Sequence, residues 1–582
     1  MSDIQHSERK FDPIGMEIFS NRLQTITEEM GNNLIRSAFS TNIKERRDCS
    51  VGLFDARGRL VAQASHIPLH LGSLKGGVEA VLAAVDIARM LPGDAYMCND
   101  PYLAGGTHMP DISIVTPVFH DGQVRFFTAN IAHHSDIGGS VPGSISGGAR
   151  SVFEEGLRIP VIRIVRGGEL DADLLNLLAN NTREPEERML DLKVQIATNQ
   201  RGAVAVEQLI AQMGLANVEN MIEDVLDYTA RRLRNRVREL KSGSYAFTSH
   251  LDEDGSGTGD PVPIAVTVTV DGERLKLDFT GSGVQARGAL NVPRSALEAT
   301  VYYAVKALLD PQLMPNHGMF AAIEIFAPEG TITNPRFPAA VGARSITCQK
   351  IAGAIFGAFR GVLPKEKVLA SGNDLLPGIV FSGRQKRRDG TYVYMETVGG
   401  GSGAGFVRDG MDAVQVHVTN SSNLPVEALE NEYPLRIVEY ALVQDSGGAG
   451  RQRGGLGIAR EVMALEDGTV FTARSDSHLF GPAGAFGGKD GGRARLIRNP
   501  GTPNEAALPS KTSNLVLKAG ETVRIETPGG AGYGPPEDRS PALLAADLRG
   551  GKVSRSAAQR DYGPDKLAMA LGSGTEATAA NK

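Results

Sequence analysis

Two apolar, β-branched runs, 112–119 and 124–131, flank His120-Asp121-Gly122, and Asp-Gly between such runs is a strong short-range signal for a β-hairpin. This hairpin constrains the chain more than any other feature, because it gathers polar residues at one end. A turn centred near Asp121 pairs Asp111 with Ile131, so His108, Asp111 and His133 share that end. Side chains alternate faces along a strand, so only one of His133 and His134 lies on the face of Asp111. This register selects His133; a one-residue slip selects His134. Two imidazoles and a carboxylate with coordination positions open are the donor set of a catalytic Zn²⁺, Mn²⁺ or Fe²⁺ site, where a water becomes a usable nucleophile near neutral pH. A lone His-x-x-Asp arises by chance in a chain of this length, so the convergence carries the weight.

At 582 residues the chain exceeds one ordinary core and predicts two or three lobes. The net charge of -6 is interspersed, and the densest basic tract, around Arg231 to Arg236, reads as a solvated helix face, which argues against a nucleic-acid partner. Cys49, Cys98 and Cys348 are odd in number and scattered, which suits a reducing compartment. Residues 1–10 are polar without an apolar leader, and no stretch is apolar enough to span a bilayer, so the expectation is a cytoplasmic protein with no membrane partner. The 69 glycines cluster in loops such as 399–405 and suit a large enzyme whose backbone bends often.

Apolar spacing predicts helices over 13–39, 74–88, 174–200 and 204–240, the last interrupted at Gly214. Hairpins are expected at 51–62 and 264–279, helices at 296–309 and from 344 through 359, and strands with glycine-rich turns to about 534. The fold class is mixed α+β: several lobes of mostly antiparallel hairpins and sheets with long helices and a helical C-terminal tail. Composition places a metal-binding lobe at 1–240, a glycine-rich α/β lobe at 241–535 and the tail at 536–582. Asp48 is either a further ligand or the partner of Arg46 or Arg47. His66 and His70 flank Pro68 and either line a pocket or serve as buried structural imidazoles. Glu154 and Glu155 close a Gly/Ser-rich loop after the His-His pair and are candidates for a general base. Asp136 is placed to orient an imidazole. No intact nucleotide loop is present: Gly484 to Lys489 lacks the first glycine and the closing Ser or Thr of a Walker sequence.

Several segments carry a resemblance: Glu45-Arg46-Arg47-Asp48, Phe54 to Gln63, Asn99-Asp100-Pro101-Tyr102, Gly105 to Asp111, His133 to Gly139, Asp278 to Ser282, Glu396 to Ala404 and Thr419 to Glu427. In these the chain resembles the hydantoinase B / oxoprolinase family, which includes B-type subunits of ATP-dependent N-methylhydantoinase and caprolactamase, the C-terminal half of 5-oxoprolinase and subunits of acetone and acetophenone carboxylases. The resemblance implies a divalent metal held by Asp48, His108, Asp111 and His133. It also implies a hetero-oligomer with a hydantoinase A-type ATPase subunit, which binds the ATP and phosphorylates a carbonyl or amide oxygen, so that metal-bound water attacks the activated ring. The expected activity is ATP-dependent hydrolysis of a hydantoin, 5-oxoproline or lactam. A ketone carboxylase subunit and a noncatalytic scaffold are the alternatives. Arg344, Glu396, Thr419, Asn420, Asn423 and Glu427 fall in family-like segments and are expected at the active site or an interface.

Overall fold

The computed structural model describes residues 12–385 and 390–579, so the expectation for residues 1–10 lies outside them. Helix α1 (Pro13–Ser37) starts where the Asp12 carboxylate accepts from the Ile14 amide and Pro13 fills the first turn. After α2 (Thr41–Lys44) come β1 (Cys49–Asp55), β2 (Leu60–Gln63), α3 (His70–Ala84), β3 (Ala95–Cys98), β4 (Asp111–His120), β5 (Gln123–His133), β6 (Ile162–Arg166) and β7 (Glu169–Leu170). These strands form one antiparallel seven-stranded sheet in the order β2-β1-β5-β4-β3-β6-β7. Helices α4 (Ala172–Asn181), α5 (Pro185–Met213) and α6 (Leu215–Arg238) follow. One sheet face packs on α3, through Leu74, Val78 and Val81 against Val115, Phe127, Ala129 and Ile131. The other meets α1 and α5, through Phe19 and Leu23 and through Val206 and Leu209, against Leu53 and Phe126.

Next come β8 (Gly243–Leu251), β9 (Val262–Asp271), β10 (Arg274–Asp278), α7 (Arg294–Leu309), β11 (Ile323–Phe326) and α8 (Arg344–Phe359). Their sheet, β11-β10-β9-β8, is antiparallel except for β10 with β11. One apolar core runs through residues on both sides of position 240, from Leu74 of α3 to Ala299 of α7 and Ile351 of α8. The last third holds β12 (Gly378–Gln385), β13 (Gly390–Thr397), α9 (Val426–Glu432), β14 (Leu435–Leu442), β15 (Ile458–Ala464), β16 (Thr469–Arg474), β17 (Arg495–Arg498), β18 (Ala506–Ala507), β19 (Lys511–Leu517) and β20 (Thr522–Glu526). They form sheets β13-β12-β16-β19 and β14-β15-β20-β17-β18, joined by Phe381, Tyr394, Phe471, Val462 and Ile525. Tail helices α10 (Pro541–Arg549), α11 (Arg555–Tyr562) and α12 (Pro564–Ala579) dock on Ala449 through Leu544, Ala557 and Tyr562. The expected mixed α+β class stands. Among the described residues no helix is long and apolar enough to cross a membrane.

Three expectations need correction. Asp111 pairs with His133, not Ile131. The turn is the two-residue Asp121-Gly122, both with positive φ, and the register shifts by one residue between Val118 and Phe119. The combined displacement is two residues, which preserves the face. Helix α3 begins at His70, four residues earlier than the periodicity suggested. The stretch predicted as 174–200 and 204–240 breaks instead before Pro185, where Glu184 is left-handed, and at Gly214.

Candidate metal centre

Sheet pairing sets Asp48, His133 and Asp111 side by side at one end of the seven-stranded sheet, on the face that meets α3. Asp111 opens β4 directly opposite His133, the last residue of β5. The His133 amide donates to the Asp48 carbonyl at 3.0 Å, one position before β1. His108 reaches the same place from the loop before β4. Asn99 braces that loop by donating to the Met109 carbonyl at 2.7 Å and accepting from the Ile159 amide at 2.7 Å.

Each of the three donor side chains is held at one end and open at the other. Asp111 Oδ2 accepts from Arg344 at 2.7 Å and from Thr107 Oγ1 at 2.9 Å, leaving Oδ1 without a hydrogen bond. His108 faces the Gly342 carbonyl with Nδ1 at 3.3 Å, and its Nε2 is unpartnered. Asn42 donates to the His133 carbonyl at 2.6 Å and lies 3.0 Å from its Nδ1, while His133 Nε2 is unpartnered. One donor atom from each of the three residues lies within 4.8 Å of the others, and His108 Nε2 is 3.2 Å from Asp111 Oδ1.

The protonation states suit a cation. Burial, with Arg344 nearby, lowers the His108 imidazole to about 4; burial lowers His133 to about 3. Burial opposes ionisation of Asp111, but His108, Arg344 and His70 outweigh it and hold its carboxyl well below the usual range. Three buried, unsatisfied, convergent donors of mixed N and O type are what a borderline divalent ion needs, so the residues fit the group.

A cavity of about 40 Å³ opens beside these donors, lined by Asp48, His70, His108, His133, Arg344, Thr397, Thr419, Ser421 and Arg474 among others. Asp48 lies on its rim, outside the three-residue cluster; its Oδ1 is 3.5 Å from His70 Nε2 and its Oδ2 is 3.7 Å from Arg46. Both sequence readings of Asp48 thus have a basis. His70 Nε2 is also 3.7 Å from Asp111 Oδ1, and its Nδ1 meets Ser50 Oγ at 3.1 Å. Burial, reinforced by Arg344, lowers Arg474 to about 9.

Other candidates fall elsewhere. Glu154 is exposed and accepts from the Arg150 amide, so it is not placed as a base for this cavity. Its neighbour Glu155 is buried and accepts from the amides of Val341 and Gly342, which positions the carbonyl facing His108. Asp136 orients no imidazole; it accepts from the Gly138, Gly143 and Arg183 amides and from the Arg183 guanidinium. His134 turns to the opposite face and meets Gln195 Oε1 at 2.9 Å. Glu396 is occupied by Arg460, Tyr394, Asn423 and the Leu424 amide, and Asn420 lines a neighbouring cavity of about 410 Å³. Sequence reading missed Arg474 and Thr107 and left His70 undecided. A helix start at His70, in place of Leu74, was the signal for the last.

The sequence profile described as Hydantoinase B/oxoprolinase matches residues 12–536. A protein of Pseudomonas sp., named as the putative B-type subunit of a D-/L-hydantoinase, is 33% identical over 97% of this chain and 97% of its own length. The 5-oxoprolinase of Dictyostelium discoideum is 33% identical over 90% of this chain, which spans 40% of that protein. The crystal structure of ATP-dependent caprolactamase from Pseudomonas jessenii superposes with a TM-score of 0.89 at 29% identity, covering 95% of this chain and 96% of that one.

Proposed function

Because the chain belongs to the hydantoinase B/oxoprolinase family, we propose that it is the ring-opening subunit of an ATP-dependent cyclic-amide hydrolase, acting with an A-type ATPase partner. The observation that carries this reading is the convergence of unpartnered His108 Nε2, Asp111 Oδ1 and His133 Nε2. The names of the relatives support the substrate class: one is a hydantoinase component, one a 5-oxoprolinase and one a caprolactamase. That the chain spans only 40% of a 5-oxoprolinase supports a second polypeptide for the remaining functions.

A strainless cyclic amide is a poor electrophile, and phosphorylation of its oxygen by the partner turns that oxygen into a leaving group. A divalent ion held by His108, Asp111 and His133 would supply Lewis acidity and lower the pKa of water at the site. The chain's own residues set the stage for it. Arg344 and Thr107 keep Asp111 ionised and aimed, and the Gly342 carbonyl aims His108. Asp48, on the open side of the cavity, takes a proton from the attacking water, with His70 at 3.5 Å to share it. The hydroxyls of Thr397, Thr419 and Ser421 line the wall where the ring's polar edge sits.

The test is turnover by the chain co-purified with its A-type partner, on hydantoins, lactams, 5-oxoproline and ketones, with and without bicarbonate. Ring-opened acid from a cyclic amide without bicarbonate is the expected result, lost on chelation and restored by a divalent ion. Full turnover by metal-free enzyme overturns the role of the cluster, and product from ketones only with bicarbonate moves the protein to the carboxylases.

A further inference from the structure

The charges around the cavity do not balance. Asp111 is paired with Arg344 at 2.7 Å and Asp48 faces Arg46 at 3.7 Å. Arg474 lines the same cavity and is 3% exposed, yet among the described residues no carboxylate lies within ion-pair distance of it. Its Nη1 donates to the Gly342 carbonyl at 2.8 Å, the same carbonyl that faces His108, and its Nε has no partner. A buried guanidinium with donors left over is costly unless something pairs with it.

The fold makes room for this side chain. Arg474 ends β16 opposite Gly378 of β12. A Cβ at Gly378 would lie 2.5 Å from Arg474 Nε, so the guanidinium lies across a position that only glycine leaves clear. The arginine is thereby held over the cavity without a partner of its own.

We propose that Arg474 is the oxyanion-binding residue of this cavity, holding a phosphoryl or carboxylate group of the bound substrate opposite His108, Asp111 and His133. This rests on the reading above only in taking the cavity as the substrate's place. Two aspartates against three arginines leave the surroundings one positive charge in excess, and a divalent ion adds two more. A neutral cyclic amide cannot offset that, whereas a phosphorylated one does. The planar fork of Arg matches two oxygens of such a group, which Lys cannot reproduce.

Equilibrium dialysis of the full chain, metal-free and loaded with Zn²⁺, against inorganic phosphate and separately against bicarbonate tests this. The wild type is expected to bind at least one oxyanion saturably, tighter when loaded. Arg474→Met is expected to weaken that binding at least about tenfold with bound metal per chain unchanged. Gly378→Ala retains the charge but displaces the guanidinium; it and Arg474→Lys are expected to fall between, and they decide the matter if Arg474→Met does not fold. Phosphate preferred over bicarbonate assigns a phosphoryl group, and the reverse assigns a carboxylate-type group. Wild-type affinity in all three variants, or no oxyanion binding by the wild type, overturns the proposal. A wild-type chain that takes up no metal removes the metal-dependent reading instead, while Arg474-dependent binding in the metal-free arm still decides this one.

Discussion

The two faces of the sheet at the β4–β5 end carry equally buried polar residues with opposite fates. On the α5 face, Gln195 Nε2 donates to the Ile112 carbonyl and to Asn130 Oδ1, both at 2.9 Å, and its Oε1 meets His134 at 2.9 Å. Asn130 donates to Asn199 Oδ1 at 2.8 Å, and Asn199 donates to the Ile114 carbonyl at 2.9 Å. On the α3 face, His108, Asp111 and His133 each leave an inward atom unpartnered. Burial does not separate structure from function here; completeness of hydrogen bonding does. A closed network fixes how α5 sits on the sheet, and an open one awaits a ligand.

The sharpest way to break this contrast is to exchange the fates of neighbouring histidines. His133→Ala is expected to abolish bound metal and lower turnover by at least about 10²-fold, while the metal-free chain melts close to the wild type. His134→Ala is expected to retain metal and lose stability. Metal analysis beside thermal melts reads both, and loss of metal from His134→Ala alone would reverse the assignment of faces.

Acid should also tell the faces apart. In the metal-free chain His108 and His133 stay neutral to about 4 and about 3, whereas the unfolded chain protonates them near 6.5. Below that pH the unfolded state binds more protons, so stability declines as pH falls from 6.5 toward 4, by about 1.4 kcal/mol per pH unit for each histidine. Above 6.5 neither contributes. Urea midpoints between pH 7.5 and 4.5 are expected to show this slope, and His108→Gln to flatten it by one proton. An unchanged slope in that variant would mean His108 is not held neutral. On the closed face, Asn199→Leu leaves Asn130 and the Ile114 carbonyl short of partners and is expected to cost about 2 kcal/mol, with bound metal unaffected.

Much of this arrangement was legible in the sequence, because strand alternation has a period of two. The placement of the turn was off by half a residue and the bulge at Val118 and Phe119 was invisible, yet the errors summed to two and left His133 on the right face. Helix ends were less legible. Pro185 broke a stretch whose apolar spacing continued through it, and the true start of α3 at His70 was hidden by Pro68 and Gly72 nearby. Residues that reach the site from distant sheets had no local signal. Nothing in the sequence around Arg474 marks its approach to His108, since that contact depends on how β12 and β16 pair and where Gly342 lies. Glu154 and Asp136 show the converse: proximity in sequence to the His-His pair did not place them in the cavity, because the intervening loop folds back on Arg183 and on its own amides.

The smallest expected effect tests whether an open donor also needs a closed end. Thr107 touches no substrate atom in this arrangement; it donates to Asp111 Oδ2 at 2.9 Å and accepts from Arg344 at 2.9 Å. Valine keeps the shape and removes the hydroxyl, so Asp111 is held by Arg344 alone. Partners of this kind typically contribute ten- to a hundredfold to metal affinity, and with Arg344 retained the expected loss for Thr107→Val is about tenfold. Turnover at saturating metal should be nearly restored, because the donors themselves remain. Serine at the same position returns the hydroxyl and should return the affinity. If Thr107→Val binds metal as the wild type does, Arg344 alone aims Asp111, and the hydroxyl belongs with the closed, structural networks of the other face.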